Sequence, residues 1–405
     1  MKNLLRKTAY VAILASSTFA ATAQIDSTVY FQLQNTLAQV RANYAPDKRT
    51  KFLELADTHV AANNYTIVLS DSSLKEKLQP KLSTIPATIQ LRVLPDESIG
   101  KNIQGIVNLS VANLRTKPSH AAEMATQLLL GTAVDILQKE GGDFRVRTPE
   151  GYIAWVPTSS IVPVSAEEFL AWKQRPRIIY IQEFGKSYSA PDQTSQRVSD
   201  LVYGDVLSLI EEQQQFYKVA YPDQRIAYLP KNEGMLFDDW QASRKPTAAN
   251  IIASAKSMLG LPYLWGGTSV KGVDCSGFTK TSYFMNGYVI PRDASQQVLH
   301  GEPIDILDAD GNFEPDKALK NLQPADLLFF AGGKHTEPQA RVTHVALYIG
   351  NGLFIHAAGT VRINSMLKGA PNYDDFQTRT VVAARRYLGS QDEAIQPVTK
   401  NTYYN

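Results

Sequence analysis

The strongest constraint on the fold is a tandem repeat in the middle of the chain. Residues 130–157 align with residues 203–230 without a gap, at a constant offset of 73 residues. Identical residues recur at matched places: Gly131 with Gly204, Val146 with Val219, Pro157 with Pro230, and Pro118 with Pro191. Both copies consist of short apolar runs separated by turns. This pattern predicts two copies of a small, mostly antiparallel β domain.

On this pattern the two copies resemble bacterial SH3-like domains, modules that position exported cell-wall enzymes on peptidoglycan. The resemblance implies a small β-barrel over residues 101–165 and a second over residues 166–240. A polar linker that contains Pro246 follows.

The copies differ at positions where the packing of a barrel core does not determine the residue type. Tyr152 in the first copy corresponds to Arg225 in the second, and Glu123 corresponds to Gln196. Either one copy alone has been recruited to a site, or the difference is ordinary surface drift.

The first 23 residues have the pattern of a secretory signal peptide. Basic residues precede a short apolar stretch, and the small residues Ala21-Thr22-Ala23 form a cleavage site. The apolar stretch is shorter than the ~20 residues that a membrane span needs. We therefore expect an exported protein, periplasmic or secreted, with no transmembrane segment after signal cleavage.

Residues 24–100 are predicted to form a short helical lead-in, in which Pro46 separates two helices. Residues 390–405 form a polar tail that we expect to be disordered. The net charge of +2 is spread without a basic stripe, which argues against nucleic acid as a partner. We expect a monomer that needs no cofactor.

Residues 241–389 hold the candidate chemistry. The stretch Gly260–Gly277 contains the only cysteine, Cys275, where a glycine-rich loop enters a predicted helix. The N-terminus of a helix favours a thiolate, as a cysteine nucleophile requires. An exported protein with one cysteine cannot form an internal disulfide. The thiol is therefore either used or, as the alternative, buried and inert.

Two of the six histidines, His344 and His356, start and end a predicted hairpin in the same domain as Cys275. A three-residue Gly350–Gly352 loop would pair Ala346 with His356 and put both histidines on one face. A two-residue turn would separate them. On one face, Cys275 would attack, His344 would take its proton, and His356 would orient the ring of His344.

Two other readings of these residues stay open. The histidines could be half-buried residues that are satisfied by the backbone. A zinc site formed by Cys275, His344 and His356 is also conceivable, although the chain has no closely spaced ligand pair. We expect no metal.

The motifs Asp274-Cys275-Ser276-Gly277-Phe278, Pro262-Tyr263-Leu264-Trp265-Gly266-Gly267 and Pro291-Arg292-Asp293 precede the histidine hairpin. Together they resemble the NlpC family of papain-like cell-wall cysteine peptidases, over residues 248–388. That family commonly has a Cys, His, His triad. The fold class that this implies is α+β: a papain-like NlpC catalytic domain after two SH3-like barrels and a helical lead-in.

Tandem SH3-like domains before such a catalytic domain are similar to the YkfC-type γ-D-glutamyl-L-diamino acid endopeptidases of peptidoglycan recycling. The resemblance implies cleavage of muropeptide substrates between D-Glu and the diamino acid, in peptides with a free N-terminal L-Ala. It also implies a set of substrate-binding residues: Tyr263 near the nucleophile, Trp265 as a pocket wall, Asp293 facing the L-Ala ammonium, and Ser276, Ser295, Glu123 and Tyr152.

This chain departs from that subgroup at Ala294, where a hydroxyl residue is expected, and Ser295 follows one place later. A lytic hydrolase of intact wall and a catalytically degenerate wall-binding protein are the alternatives to a recycling enzyme.

Overall fold

The computed structural model describes residues 27–56, 63–332, 340–375 and 378–405. The predicted signal peptide lies outside these residues. The chain divides into two compact units, one comprising residues up to 46 together with 53–92, and the other residues 47–52 together with 93–405. Residues 47–52, which the sequence assigned to the lead-in, thus belong to the larger unit.

The described residues of the smaller unit form two helices and a three-stranded sheet in the order β1–β2–β3. Its elements are α1 Ser27–Tyr44, β1 Leu53–Leu55, β2 Asn64–Leu69, α2 Ser72–Leu82 and β3 Thr88–Val93. The predicted helix before Pro46 is confirmed as α1, in which Leu33, Leu37 and Val40 are fully buried. The predicted helix after Pro46 is wrong, since Leu53–Leu55 pairs with β2 as a strand and sheet pairing overrides the helical spacing.

The two repeat copies form sheets of seven strands each, with equivalent strand orders. The first runs β10-β4-β7-β8-β9-β5-β6 and the second, read in the same direction, β17-β11-β14-β15-β16-β12-β13. The elements of the first copy are β4 Gln104–Val107, β5 Val111–Arg115, β6 Met124–Leu129, β7 Ala133–Glu140, β8 Asp143–Arg147, β9 Ile153–Pro157, β10 Ile161–Val164 and α3 Ala166–Gln174. Those of the second are β11 Arg177–Tyr180, β12 Phe184–Tyr188, β13 Arg197–Val202, β14 Val206–Glu212, β15 Phe216–Ala220, β16 Ile226–Pro230, β17 Gly234–Leu236 and α4 Phe237–Ser243.

Equivalent strands start 73 residues apart, as in β4 and β11, so the repeat is confirmed in three dimensions. Closure of either sheet into a barrel stays a prediction.

The rest of the chain forms the α+β domain that the sequence predicted. Its helices are α5 Ala248–Ser257, α6 Cys275–Phe284, α7 Ala294–Gln297 and α8 Pro315–Asn321. Its strands are β18 Thr268–Ser269, β19 Gly272–Val273, β20 Tyr288–Val289, β21 Glu302–Pro303, β22 Leu327–Gly332, β23 Val342–Gly350, β24 Leu353–Ala358, β25 Thr360–Ser365, β26 Arg379–Arg386 and β27 Gln396–Pro397. Six strands form one sheet in the order β21-β26-β22-β23-β24-β25. Helix α6 packs on this sheet, where Phe278 shares a buried core with Val345, Leu347 and Ile355.

The turn of the β23–β24 hairpin is one residue shorter than predicted. Gly350 pairs with Leu353, so the turn has two residues, Asn351 and Gly352, both with positive φ. A two-residue turn alone would have put the histidines on opposite faces. A β-bulge between Tyr348 and Gly350 removes one residue from the pairing and restores the predicted register, with Leu347 opposite Ile355.

The predicted disorder of the tail is wrong. Ile395, Val398 and Tyr404 are buried, and the ring of Tyr404 stacks on Phe237 of α4. Val398 and Tyr404 anchor an otherwise polar segment to the second repeat copy, whereas Ile395 packs into the core of the α+β domain. Within the part of the chain that the structure describes, no helix is long and apolar enough to cross a membrane.

Candidate active site

Cys275 is the first residue of α6, directly after the N-cap residue Asp274. The Asp274 carboxylate accepts a hydrogen bond from the backbone N–H of Gly277 at 2.7 Å, which closes the first turn. Gly277 has no room for a side chain, because a Cβ there would collide with the carbonyl oxygen of Gly267. The glycine-rich loop thus packs directly against the helix start and fixes the position of the thiol.

The two histidines meet on one face of the sheet, as predicted. Nε2 of His344 lies 2.9 Å from Nδ1 of His356, and Nε2 of His356 lies 3.1 Å from the amide oxygen of Asn364 on β25. The amide nitrogen of Asn364 donates to the carbonyl of Asn372, which fixes the orientation of the amide.

This chain of hydrogen bonds determines which ring nitrogens carry protons. Because an amide oxygen only accepts, His356 donates from Nε2, and its Nδ1 accepts from Nε2 of His344. Nδ1 of neutral His344 is therefore left without a proton. The backbone carbonyl of Thr343, the residue before His344, lies 4.0 Å from the Cys275 sulfur. That His344 serves as the base for the Cys275 thiol, with His356 as the third group that orients it, stays a prediction.

Sequence reasoning missed Asn364. The position of Asn364 follows from strand pairing. Arg362 pairs with His356, and Asn364 lies on the same face of β25 because it is two residues further along the strand. Only the assignment of β25 as the next strand of the sheet would have revealed it.

Burial favours the neutral forms of Cys275, His344 and His356. Burial, followed by the charge of Asp274, raises the pKa of Cys275 to about 12, although the backbone N–H groups of Val345 and Ser276 act in the opposite direction. Burial and the neighbouring His356 hold the pKa of His344 well below its usual value. Burial also lowers the pKa of His356 to about 4. The backbone N–H group of Ser276 at the start of α6 does favour the thiolate, as expected, but desolvation of the buried thiol outweighs it.

A pH dependence of thiol reactivity follows. Below the pKa of a thiol the thiolate fraction rises about tenfold for each pH unit. We expect the rate at which iodoacetamide alkylates Cys275 to rise continuously between about pH 5 and pH 9. Since Cys275 is the only cysteine, mass spectrometry reports this site alone. A rate that is constant across neutral pH would indicate a preformed thiolate–imidazolium pair and contradict this expectation.

A buried ion pair supports the helix start. Arg292 donates two hydrogen bonds to Asp274, at 3.1 and 2.7 Å, and its side chain is fully buried. Its Nε donates to the hydroxyl of Thr126 in the first repeat copy. This guanidinium therefore connects the N-cap of the catalytic helix with the first SH3-like domain.

The first repeat copy also reaches the predicted substrate-binding residues. The indole N–H of Trp265 donates to Glu123 at 2.8 Å, and the hydroxyl of Tyr152 interacts with the carboxylate of Asp293. Burial and the proximity of Cys275 raise the pKa of Tyr263, so its phenol stays protonated close to the nucleophile. The structure thus pairs Glu123 with Trp265 and Tyr152 with Asp293, and it places Tyr263 beside Cys275.

The two serines occupy supporting positions. The buried hydroxyl of Ser276 donates to Asp274 and accepts from Arg292. The hydroxyl of Ser295 accepts from Arg49, whose guanidinium also contacts Asp293 at 2.7 Å. Arg49 was missed because its segment reads as part of the lead-in, and no local motif marks it. The roles of Ser276 and Ser295 in substrate binding stay predictions.

Comparisons with known proteins agree with this geometry. The model of the NlpC/P60 family matches residues 260–381. The model of the bacterial dipeptidyl-peptidase Sh3 domain matches residues 114–161.

The matches with two curated relatives cover most of the length of each relative. A γ-D-glutamyl-L-lysine dipeptidyl-peptidase from Bacillus cereus is 32% identical over 279 residues, which is 67% of this chain and 77% of the relative. A dipeptidyl-peptidase 6 from Lysinibacillus sphaericus is 29% identical over 295 residues, which is 69% of this chain and 98% of the relative.

Solved structures show the same relationship. The crystal structure of an NlpC/P60 family protein from Bacillus cereus matches with a TM-score of 0.57 and 28% identity, over 70% of this chain and 99% of that one. An NlpC/P60 endopeptidase from Photobacterium damselae shares the fold, with a TM-score of 0.54 and 16% identity over 91% of this chain and 86% of that one. This chain therefore belongs to the NlpC/P60 family of cysteine peptidases.

Proposed function

We propose that this enzyme hydrolyses the bond between γ-D-Glu and the diamino acid in peptidoglycan-derived peptides that begin with a free L-Ala. Its family and the names of its relatives support the broader activity, a peptidoglycan-related endopeptidase. The preference for a free amine, and with it a role in cell-wall recycling, is the finer part of the proposal.

The observation that carries this preference is the contact of the first SH3-like domain with the catalytic domain. The Tyr152 hydroxyl interacts with the Asp293 carboxylate, and the Glu123 carboxylate accepts a hydrogen bond from the indole N–H of Trp265. The Asp293 carboxylate, with 24% of its side chain exposed, favours a cation, since a desolvated charge must be paired. A substrate N-terminal ammonium supplies that cation, and N-acylation removes it.

The triad geometry supports hydrolysis in two steps. The Cys275 sulfur adds to the γ-carbonyl of D-Glu while its proton passes to Nδ1 of His344. That proton then moves to the departing amine of the diamino acid, which leaves a thioester on Cys275. Water, deprotonated by His344, attacks the thioester, the C–S bond breaks to release L-Ala-γ-D-Glu, and the proton on His344 returns to the Cys275 sulfur.

The test is to compare L-Ala-γ-D-Glu-meso-diaminopimelate with its N-acetylated form. A charged hydrogen bond contributes about 1.5–3 kcal/mol, so acetylation should lower kcat/KM by about 10- to 150-fold. Chromatography of the released diaminopimelate measures both rates. Equal turnover of the two peptides, or clearing of purified sacculi at a comparable rate, would refute the recycling specificity and favour a lytic hydrolase.

We also propose that the enzyme is exported and acts as a monomer. N-terminal sequencing of the mature protein from periplasmic and culture-medium fractions tests the first part. A mature N-terminus at Gln24 supports it, and an intact N-terminus in the cytoplasmic fraction contradicts it.

A further inference from the structure

An unbroken row of alternating charges runs from residue 47 to the helix start that carries Cys275. Asp47 contacts Arg49 through two hydrogen bonds of 2.7 Å, and Arg49 contacts Asp293 at 2.7 Å. Asp293 lies 3.7 Å from Arg292, which pairs with Asp274 at 2.7 Å. Three carboxylates thus alternate with two guanidinium groups.

Arg49 is held in this row by its backbone as well as its side chain. Its backbone N–H donates to the Asp47 carboxylate, and its carbonyl accepts from Ile153, the residue after Tyr152. Gln296 donates to the same Asp47 carboxylate and accepts from the backbone N–H of Asp293. The guanidinium is therefore placed against Asp293 by contacts that do not depend on a substrate.

The row carries one surplus negative charge, because its two arginines balance two of the three carboxylates. Asp274 and Arg292 are nearly or completely buried, whereas Asp293 keeps about a quarter of its side chain exposed, at 24%. Asp47, at the outer end of the row, is also partly exposed, at 28%. Asp293 is the partly exposed carboxylate nearer to the helix start, and a substrate cation there would balance the surplus charge.

Asp293 binds an ammonium only when it is ionised, and burial opposes ionisation. Burial raises the pKa of Asp293, with a smaller contribution from Asp274, whereas Arg292, Arg49 and the Tyr152 hydroxyl act in the opposite direction. Among these opposing groups Arg292 already has Asp274 as its main partner. Removal of Arg49 would therefore raise the pKa of Asp293, so that its carboxyl group stays protonated up to a higher pH.

We propose that Arg49 is a positioning residue for free-amine recognition, which fixes the Asp293 carboxylate and keeps it charged. This inference rests on the proposed function, since it concerns the same N-terminal amine. It assigns a specificity role to a segment that precedes both SH3-like domains. The chemical group recognised is the primary ammonium of a short peptide.

The test compares Arg49→Gln, Arg49→Lys and a matched control, Lys48→Gln, in the full chain. Lys48 is an exposed cation in the same turn, so its removal changes the same charge without touching the row. We expect Arg49→Gln to lower kcat/KM for the free tripeptide by about 10- to 100-fold, mainly through KM, with residual turnover of the acetylated peptide unchanged.

The pH profile separates electrostatic positioning from a structural effect. Since the carboxylate loses the ammonium as pH falls through its pKa, Arg49→Gln should move the acid limb of kcat/KM for the free peptide to higher pH. Arg49→Lys keeps the charge and should restore the wild-type limb. Lys48→Gln should match the wild type throughout.

Four outcomes would overturn the proposal. A rise in kcat/KM for Arg49→Gln would show that Arg49 competes with the ammonium. An equal loss on both peptides with an unmoved acid limb would show a merely structural role. If the wild type prefers the free amine and Arg49→Gln keeps that preference, only the role of Arg49 fails. If the wild type turns over both peptides equally, the proposed function fails as well.

Discussion

Cys275→Ala should abolish peptide hydrolysis, with a loss of about 10⁴-fold or more in kcat. The sulfur at the start of α6 is the only thiol in the chain, so no second cysteine can replace it. The variant should retain substrate binding, because the predicted amine-binding residues lie on other segments. Chromatography measures the rate, and calorimetry with the free tripeptide measures binding.

The control for this substitution is the thermal unfolding midpoint. Alanine is smaller than cysteine and helix-compatible, and α6 keeps its Asp274 cap. A midpoint close to that of the wild type, together with lost turnover, assigns the loss to chemistry. Full hydrolysis by Cys275→Ala would refute the nucleophile assignment.

Arg292→Ala should have the largest effect on stability. It leaves the Asp274 carboxylate without its cationic partner in a nearly buried site, and removal of one member of a buried pair costs about 3–5 kcal/mol. The same change removes a donor to Thr126 of the first SH3-like domain. Urea unfolding followed by tryptophan fluorescence measures the loss in free energy of unfolding.

Lys271→Ala provides the matched comparison. Lys271 pairs with Asp200 at 2.6 Å, but both side chains are well exposed, at 39% and 46%. Solvent screening limits such a pair to about 1 kcal/mol or less. Similar losses for Arg292→Ala and Lys271→Ala would contradict the buried pair as the support of the helix start.

The sequence predicted those features that follow from local patterns. The repeat offset defined two domains, and the glycine-rich entry to α6 marked Cys275. The position of His344 and His356 on one face was also predicted, but from a three-residue loop that the structure does not contain. A bulge at Ile349 compensated for a shorter turn, and nothing local in the sequence distinguishes these two routes to one register.

Contacts between distant segments could not be predicted in the same way. The ion pair of Arg49 with Asp293 joins residues 244 positions apart, and the donor from Arg292 to Thr126 joins residues 166 apart. Local periodicity carries no information about such contacts. Glu123 and Tyr152 were predicted because the resemblance to YkfC-type enzymes implies a Glu and a Tyr from the first SH3-like domain, and because the second repeat copy lacks both.

The most direct test of the central claim is the ratio of kcat/KM for the free and N-acetylated tripeptides, in the wild type and in Asp293→Asn. Asparagine caps a helix about as well as aspartate, so α7 should persist while the charge is lost. We expect a ratio of about 10 to 150 in the wild type and a ratio near one in Asp293→Asn. A wild-type ratio near one, or a ratio unchanged by Asp293→Asn, would contradict recognition of a free amine at Asp293.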